Sequence, residues 1–346
     1  MSDRPTIKDI AGQLGVSPAT VSRALSDSGL VAEPTLSRIR EAARALNYRP
    51  NVSARNLRTQ RSMAVLMVVR DVGNPFYLEI LKGVEATARA AGYSVLMGNT
   101  ENDPEREIEY FDMLRDGHAD GMILMTGKLP WKHGEYAERL AGLSVVVALE
   151  MIGDSGLPHV QIDNAVAANE AVRHLISLGH KRIAHICGPI PEIMSVRRRD
   201  GYRIAMREAG LDIPAGYEPV GDYLLRSGEA LCQRLFELTS PPTAIFVAND
   251  EMAYGAIHEL RRLGLDVPGD VSVVGFDDLY LSEAFYPPLT TVSQPRAEIG
   301  QQAMKLLLRT FAGEGQAGET MELATTLRIR GSTARPKETG ARIRTL

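Results

Sequence analysis

Only two cysteines, Cys187 and Cys232, occur in the 346 residues, and two thiols in a chain of this size read as small buried hydrophobes rather than as a disulfide framework. No run of eighteen apolar residues is present, and the start MSDRPTIKDI is polar and charged with no apolar signal region. A membrane span and a secretory leader are therefore not expected, and a cytoplasmic location is. CxxC, HExxH and clustered His/Asp spacings are missing, so neither a metal nor a cofactor is expected. GxxxxGK[ST] and GxGxxG are missing too, and no Ser/His/Asp set is legible, which argues against an enzyme acting on phosphates or esters. The histidines of GHKRIAH, His180 and His185, read as strand-edge polar groups.

What is present is the composition of a globular protein, 44% hydrophobic and 24% charged, in a chain too long for one ordinary core. The net charge of −4 hides an asymmetry. Residues 1–62 hold ten Lys/Arg against five Asp/Glu, a surplus of five, while the remainder holds 29 basic against 38 acidic side chains, a deficit of nine. A small basic unit on an acidic body is the layout of a polyanion-binding appendage.

The basic unit carries its own motif. Thr6-Ile7-Lys8-Asp9 has the form of a capping box, and Ile7, Ile10, Ala11 and Leu14 then recur at helical spacing until Gly15. Ser17 is a second N-cap with Pro18 at the first helical position, followed by Val21, Ala24 and Leu25 on one face. Only Gly15-Val16 separates the two helices, which forces a crossed pair, the helix-turn-helix arrangement. The opposite face of the second helix shows Ala19, Thr20, Ser22 and Arg23: short side chains that permit close approach, and one long fork able to reach guanine edges. A third helix is expected over Pro34 to Leu46.

TIKDIAGQLGVSPATVSRAL, followed by VAEPTLSRIREAARALNYRPN, resembles the LacI/GalR family of repressors. The resemblance implies base contacts at Pro18, Ala19 and Arg23. It implies phosphate contacts at Ser17, Thr20, Ser22 and Asn47, and places Thr6 among the DNA-binding residues. It also implies a hinge helix in Asn51 to Arg58 that orders against the minor groove beside its dimer mate, with Leu57 as the wedge and Ala54 and Arg55 in the groove. Apolar Val52, Ala54 and Leu57 in an otherwise charged stretch suit that role.

From Ser62 onward, apolar runs alternate with amphipathic helices: MAVLMVV, a helix over Phe76 to Ala91, SVLMGN, a helix over Pro104 to Asp116, then GMILM, VVVAL and VQID. A second series follows, with a helix from Ala165 to Leu178, RIAHICG, a helix over Arg198 to Ala209, YEPVGD, a helix over Ser227 to Leu238, AIFVAND, a helix to Leu263, and VSVVGFDD. Two successive α/β series imply parallel sheets in two lobes with a cleft between them. LISLGHKRIAHICGP, GLDVPGDVSVVGFDD and PPLTTVSQP resemble the periplasmic-binding-protein-like effector domain of the same family. The expected fold is thus an all-α helix-turn-helix headpiece (1–49), a hinge (50–62) and an α/β two-lobed body (63–332). Lobe 1 is expected at about 63–163 and 294–324, and lobe 2 at about 164–293 and 325–332, with three crossovers and a polar tail over 333–346. No leucine heptad follows Arg330, so the resemblance implies a homodimer on a palindromic operator in double-stranded DNA.

Ligands of open α/β sheets sit beyond the carboxyl ends of strands. That rule selects Asp71, Phe76, Tyr77, Asn99, Asp163, Arg198, Asn249, Asp250 and Asp277. The family resemblance supports Arg198 and Asp277 and adds Tyr223 and Gln294, while the consecutive Arg197, Arg198 and Arg199 leave the register open by one residue. Asp, Arg and Asn side chains suit a polyhydroxylated sugar, the favoured effector. Phe76, Tyr77 and Tyr223 would equally stack a nucleobase, and ATVSRAL and DVGNPFYLEI look similar to the cytidine-responsive branch of the family. A sequence-specific repressor controlled by a sugar is the reading, a nucleoside- or purine-responsive regulator the alternative. A binding protein or enzyme with no DNA role would leave residues 1–62 unexplained.

Overall fold

Helical spacing in the basic segment produces one small core. The computed structural model describes residues 5–25, 29–48 and 61–337, so Ala54, Arg55 and Leu57 of the expected hinge lie outside the described residues. Helices α1 (Ile7–Leu14), α2 (Pro18–Leu25) and α3 (Glu33–Ala45) bury Ile10, Ala11, Val21, Ala24, Ile39, Ala42 and Ala43 against one another. Gly15 ends α1 in the left-handed region at φ 66°, which glycine enters without steric cost. Contacts divide the chain between Ser62 and Met63, and the two units are described separately.

The second unit begins with β1 (Ala64–Val69), α4 (Phe76–Ala90), β2 (Ser94–Asn99), α5 (Pro104–Arg115), β3 (Gly121–Leu124), α6 (Tyr136–Leu140), β4 (Val145–Leu149) and β5 (His159–Ile162). It continues with α7 (Asn164–Ser177), β6 (Ile183–Ile186), α8 (Ile193–Glu208), α9 (Leu225–Phe236), β7 (Ala244–Val247), α10 (Asp250–Arg262), β8 (Ser272–Asp277) and α11 (Tyr280–Ala284). The last elements are β9 (Thr290–Ser293), α12 (Arg296–Phe311), β10 (Thr320–Leu323) and β11 (Thr326–Arg328).

Among the described residues these strands make two sheets. One runs β10-β5-β4-β3-β1-β2 and is parallel throughout; the other runs β11-β9-β8-β7-β6. β3, β4 and β8 are buried along their whole length, as strands covered by helices on both faces must be. Two departures from the sequence reading have local causes. The edge position of β2 leaves Leu96 and Met97 39% exposed, and β11 pairs antiparallel with β9.

The chain passes between the sheets at Asp163-Asn164, at Ser293-Gln294 and at Ala324-Thr325. α12 therefore belongs to the first sheet although it follows β9. It packs on α4 so closely that a Cβ on Gly83 would fall on the Ala297 carbonyl oxygen, and one on Gly300 on that of Ile80. Only glycine admits this backbone contact. Residues 333–337, read from sequence as the start of a polar tail, are fastened to the second sheet. The Ala334 N–H donates to Ser272 Oγ at 3.0 Å, His174 Nε2 lies 3.0 Å from Thr333 Oγ1, and Lys337 pairs with Asp270 at 2.6 Å. Among the described residues no helix is long and apolar enough to cross a membrane.

Candidate DNA-reading helix and ligand cleft

In the headpiece, the Asp9 carboxylate accepts from both the backbone N–H and the hydroxyl of Thr6, each at 2.7 Å. The reciprocal contacts of the capping box that the sequence suggests are both present, with the Thr6 hydroxyl also donating to Asp9. Ser17 Oγ accepts the Thr20 N–H at 3.1 Å and lies 2.8 Å from Thr20 Oγ1, fixing the start of α2. With Val21 and Ala24 turned into the core, α2 presents Ser17, Pro18, Ala19 and Arg23 exposed, with Thr20 and Ser22 half-buried beside them. Asn47 is exposed just beyond α3 at φ 49°, a left-handed position that asparagine tolerates.

In the body, a cavity of about 380 Å³ opens at the carboxyl ends of the strands. It takes residues from both sheets, as the rule for open α/β sheets requires. Asp71, Phe76 and Tyr77 come from the β1–α4 side, Gln294 from the end of β9, and Arg198, Tyr223, Asn249 and Asp277 from the second sheet and its helices. The structure thus brings eight of the eleven sequence-selected positions, Asp71, Phe76, Tyr77, Arg198, Tyr223, Asn249, Asp277 and Gln294, to one cavity. Asp163 is not among the lining residues: its carboxylate caps α7, accepting from Ala165 and Val166 N–H at 2.9 and 3.0 Å. Its neighbour Asn164 lines the cavity instead. Asp250 is also diverted. Its carboxylate accepts from Leu279 N–H, Ser282 Oγ and Thr291 Oγ1, tying α11 and β9 to α10, and burial pushes it up to about 6. Asn99 does not line the cavity either; its Oδ1 accepts the Val72 N–H at 3.2 Å.

Arg198 is the buried member of its triplet, 3% exposed, whereas Arg197 is exposed. Its Nε donates to Asn164 Oδ1 at 2.9 Å, its Nη1 to the Ala248 carbonyl at 2.6 Å, and its guanidinium lies 3.7 Å from the Phe276 ring centroid. Next to it Asp277 accepts from Gln294 Nε2 at 2.7 Å. Burial pushes the Asp277 carboxyl up to about 7, with Arg198 pulling the other way. Tyr223 shares a 2.6 Å hydrogen bond with Ser195 Oγ, and its carbonyl accepts from Asn249 Nδ2 at 2.9 Å. Leu149, Tyr223 and Asp277 all stand at positive φ (77°, 72° and 119°). Non-glycine residues held there cost of order 1–3 kcal/mol each, and such strain concentrates at binding sites.

Sequence reasoning missed the strongest polar feature. Arg70 donates to Glu150 Oε1 at 2.7 Å, to the Thr126 carbonyl at 3.1 and 2.8 Å, and to the Glu192 carboxylate. The Arg70–Glu192 pair joins the end of β1 in one sheet to the start of α8 beside the other. The signal for Arg70 was its place at a strand end, one residue before Asp71. Glu192 carries no local signal, since its partner lies 122 residues away.

A helix-turn-helix unit ahead of a two-sheet body with a polar cleft at its strand ends defines a ligand-responsive transcription regulator. Residues 6–51 match the model of the bacterial regulatory proteins of the lacI family, and residues 172–333 that of the periplasmic binding protein-like domain. The HTH-type transcriptional repressor CytR of Escherichia coli K12 is 39% identical over 328 residues, 95% of this chain and 96% of that one. The ribose operon repressor of the same organism is 34% identical over 329 residues, 94% and 99%. The crystal structure of the lac repressor dimer bound to operator and the anti-inducer ONPF superposes with a TM-score of 0.84 at 25% identity, covering 96% of this chain and all of that one. The chain belongs to the LacI family: it is a sequence-specific DNA-binding regulator of transcription and not an enzyme.

Proposed function

We propose that the chain is a repressor that works as a homodimer in the cytoplasm, gripping a palindromic operator and responding to a sugar held in the cleft between its two sheets. In this reading residues 1–49 form the DNA-binding domain. Residues 50–62 form a hinge, in which Ala54 and Arg55 enter the minor groove and Leu57 unstacks a base step. Residues 63–332 bind the effector, one lobe comprising about 63–163 and 294–324, the other about 164–293 and 325–332. Arg23, Pro18 and Ala19 read bases, while Thr6, Ser17, Thr20, Ser22 and Asn47 hold phosphates. The observation that carries the reading is the meeting of Asp71, Phe76, Tyr77, Arg198, Tyr223, Asn249, Asp277 and Gln294 around one cavity. Aromatic faces beside carboxyl, amide and guanidinium groups suit a ring that bears hydroxyls. The lac repressor dimer holds operator and the anti-inducer ONPF at once, a pairing of the same two tasks.

A ligand that prefers one arrangement of the sheets shifts operator affinity by its differential affinity for the two states. A nucleoside is the second reading, favoured by the Phe76–Tyr77 pair, whose ring centroids lie 5.4 Å apart at the mouth of α4. Thermal-shift screening of sugars and nucleosides, followed by operator binding at fixed salt with each hit, tests both. Hits that bind the body yet leave operator affinity unchanged would rule the reading out.

A further inference from the structure

The cavity is lined by two cations, Arg70 and Arg198, against five carboxylates, Asp71, Glu101, Glu192, Asp222 and Asp277. Both cations are already committed. Every nitrogen of the Arg70 guanidinium donates to Glu150, Glu192 or the Thr126 carbonyl. Arg198 spends Nε and one Nη1 hydrogen on Asn164 and Ala248 and stacks on Phe276, and the Asp277 carboxyl beside it competes with any phosphate for the donors that remain.

Helix N-termini are the other common anion receptors, and beside the cavity the protein's own acceptors or carboxylates already stand at them. Asn74 Oδ1 takes the Phe76 N–H at the head of α4 at 2.9 Å. Asp222 Oδ1 takes the Leu224 N–H ahead of α9 at 2.8 Å, and Asn249 Oδ1 the Met252 N–H of α10 at 3.0 Å. The head of α8 has no side-chain cap, but Glu192 stands there, and its carboxylate holds Arg70 and places negative charge where an anion would dock.

Building on the proposed sugar or nucleoside sensor, we infer that the cleft selects the uncharged parent compound and rejects its phosphate ester. The repressor then reports on a nucleoside or free sugar without interference from the corresponding nucleotide or sugar phosphate. An ester entering this cavity would bring a charge with no uncommitted cation to pair it among carboxylates, the costliest group to bury. The reaction class that ends the signal is accordingly phosphorylation of the effector, and the one that raises it is hydrolysis of an ester or a glycosidic bond.

The test uses the full-length protein. Titration calorimetry compares ribose with ribose 5-phosphate, cytidine with cytidine 5′-monophosphate and adenosine with adenosine 5′-monophosphate. Each ester is expected to bind about a hundredfold more weakly than its parent, or worse. An ester that matches or exceeds its parent overturns the inference. Glu192→Gln, which removes one carboxylate and loosens the hold on Arg70 Nη1 without enlarging the cavity, is expected to narrow the gap by about tenfold; an unchanged gap shows that size rather than charge excludes the ester and overturns it as well. Inorganic phosphate, compared with chloride at equal ionic strength by thermal shift, is expected to give no specific stabilisation. Specific stabilisation that disappears in Arg198→Gln overturns the inference even if no organic probe binds. Failure of every parent and every ester to bind instead refutes ribose, cytidine and adenosine as effectors, and the phosphate arm then decides the charge argument by itself.

Discussion

Replacing Asp277 by Asn separates the cost of a buried charge from the geometry that holds it. Burial lifts the carboxyl from 3.8 to about 7, against the pull of Arg198, Arg296 and the Gln294 hydrogen bond and with a further push from Asp250. The folded value lies above the unfolded one, so the folded state binds this proton more tightly. Nothing is lost below pH 4, and stability falls as pH rises from about 4 to about 7. Three units at about 1.4 kcal/mol each give a penalty of about 4 kcal/mol at pH 8, of which about 1 to 2 kcal/mol is already present at pH 5. Asparagine carries no charge, keeps an oxygen for Gln294 Nε2 and matches aspartate in size at the φ of 119°, so any backbone strain is common to both proteins. Glu107, pushed up to about 7 by burial, titrates in both proteins and cancels in the comparison, while Asp250, which is coupled to Asp277, is relieved by the same substitution. Urea unfolding of full-length wild type and Asp277→Asn should therefore show the variant more stable at pH 8, with its advantage about 2 kcal/mol larger there than at pH 5. An advantage that is the same at both pH values would refute the argument that the native state confines a charge at Asp277.

Three further outcomes follow from the geometry. Arg70→Met strands the buried Glu150, one of whose oxygens already lacks a hydrogen-bond partner, and should cost about 3–5 kcal/mol in unfolding free energy, largely recovered by adding Glu150→Gln; equal loss in the single and double variants would contradict it. Gly83→Ala drives a methyl into the Ala297 carbonyl across the α4–α12 contact and should lower stability by at least about 1–3 kcal/mol in the same assay, whereas Gly134→Ala, in open space, should be close to neutral. Arg23→Ala, exposed on α2, should weaken operator binding by about 1–3 kcal/mol and relax preference at one base pair per half-site while leaving effector affinity intact; a uniform loss on all duplexes would reassign Arg23 to the backbone.

The headpiece was legible almost residue by residue, because three short helices enclosing one core leave their period directly in the chain: α3 was expected over 34–46 and runs Glu33–Ala45. α4 and the apolar strands of both sheets were equally readable. The misses are non-local or masked by proline. α8 starts at Ile193 rather than Arg198, since Pro189 and Pro191 make the preceding stretch look like loop. YEPVGD gives a single bridge, Cys187 with Val220, because Pro219 has no N–H to extend a ladder. α12 went unread although Ile299, Ala303, Met304, Leu306 and Leu307 recur at helical spacing and are buried. In the cleft, the strand-end rule found residues whose own position points them inward. It could not tell that Asp163 would turn back to cap its own helix, or that Arg70 and Glu192 would meet.

The two passages that end the body, at Ser293-Gln294 and Ala324-Thr325, have a consequence for how the protein comes into being. Neither half of the body is a continuous stretch of chain: one lacks its outer strand, the other its antiparallel border, until residues 320–328 have been made. A stop at position 319 would strip a strand from both halves at once, and no single cut can release either half intact. During synthesis the ribosome must deliver nearly the whole polypeptide before either sheet can close, so the sensor matures as one piece.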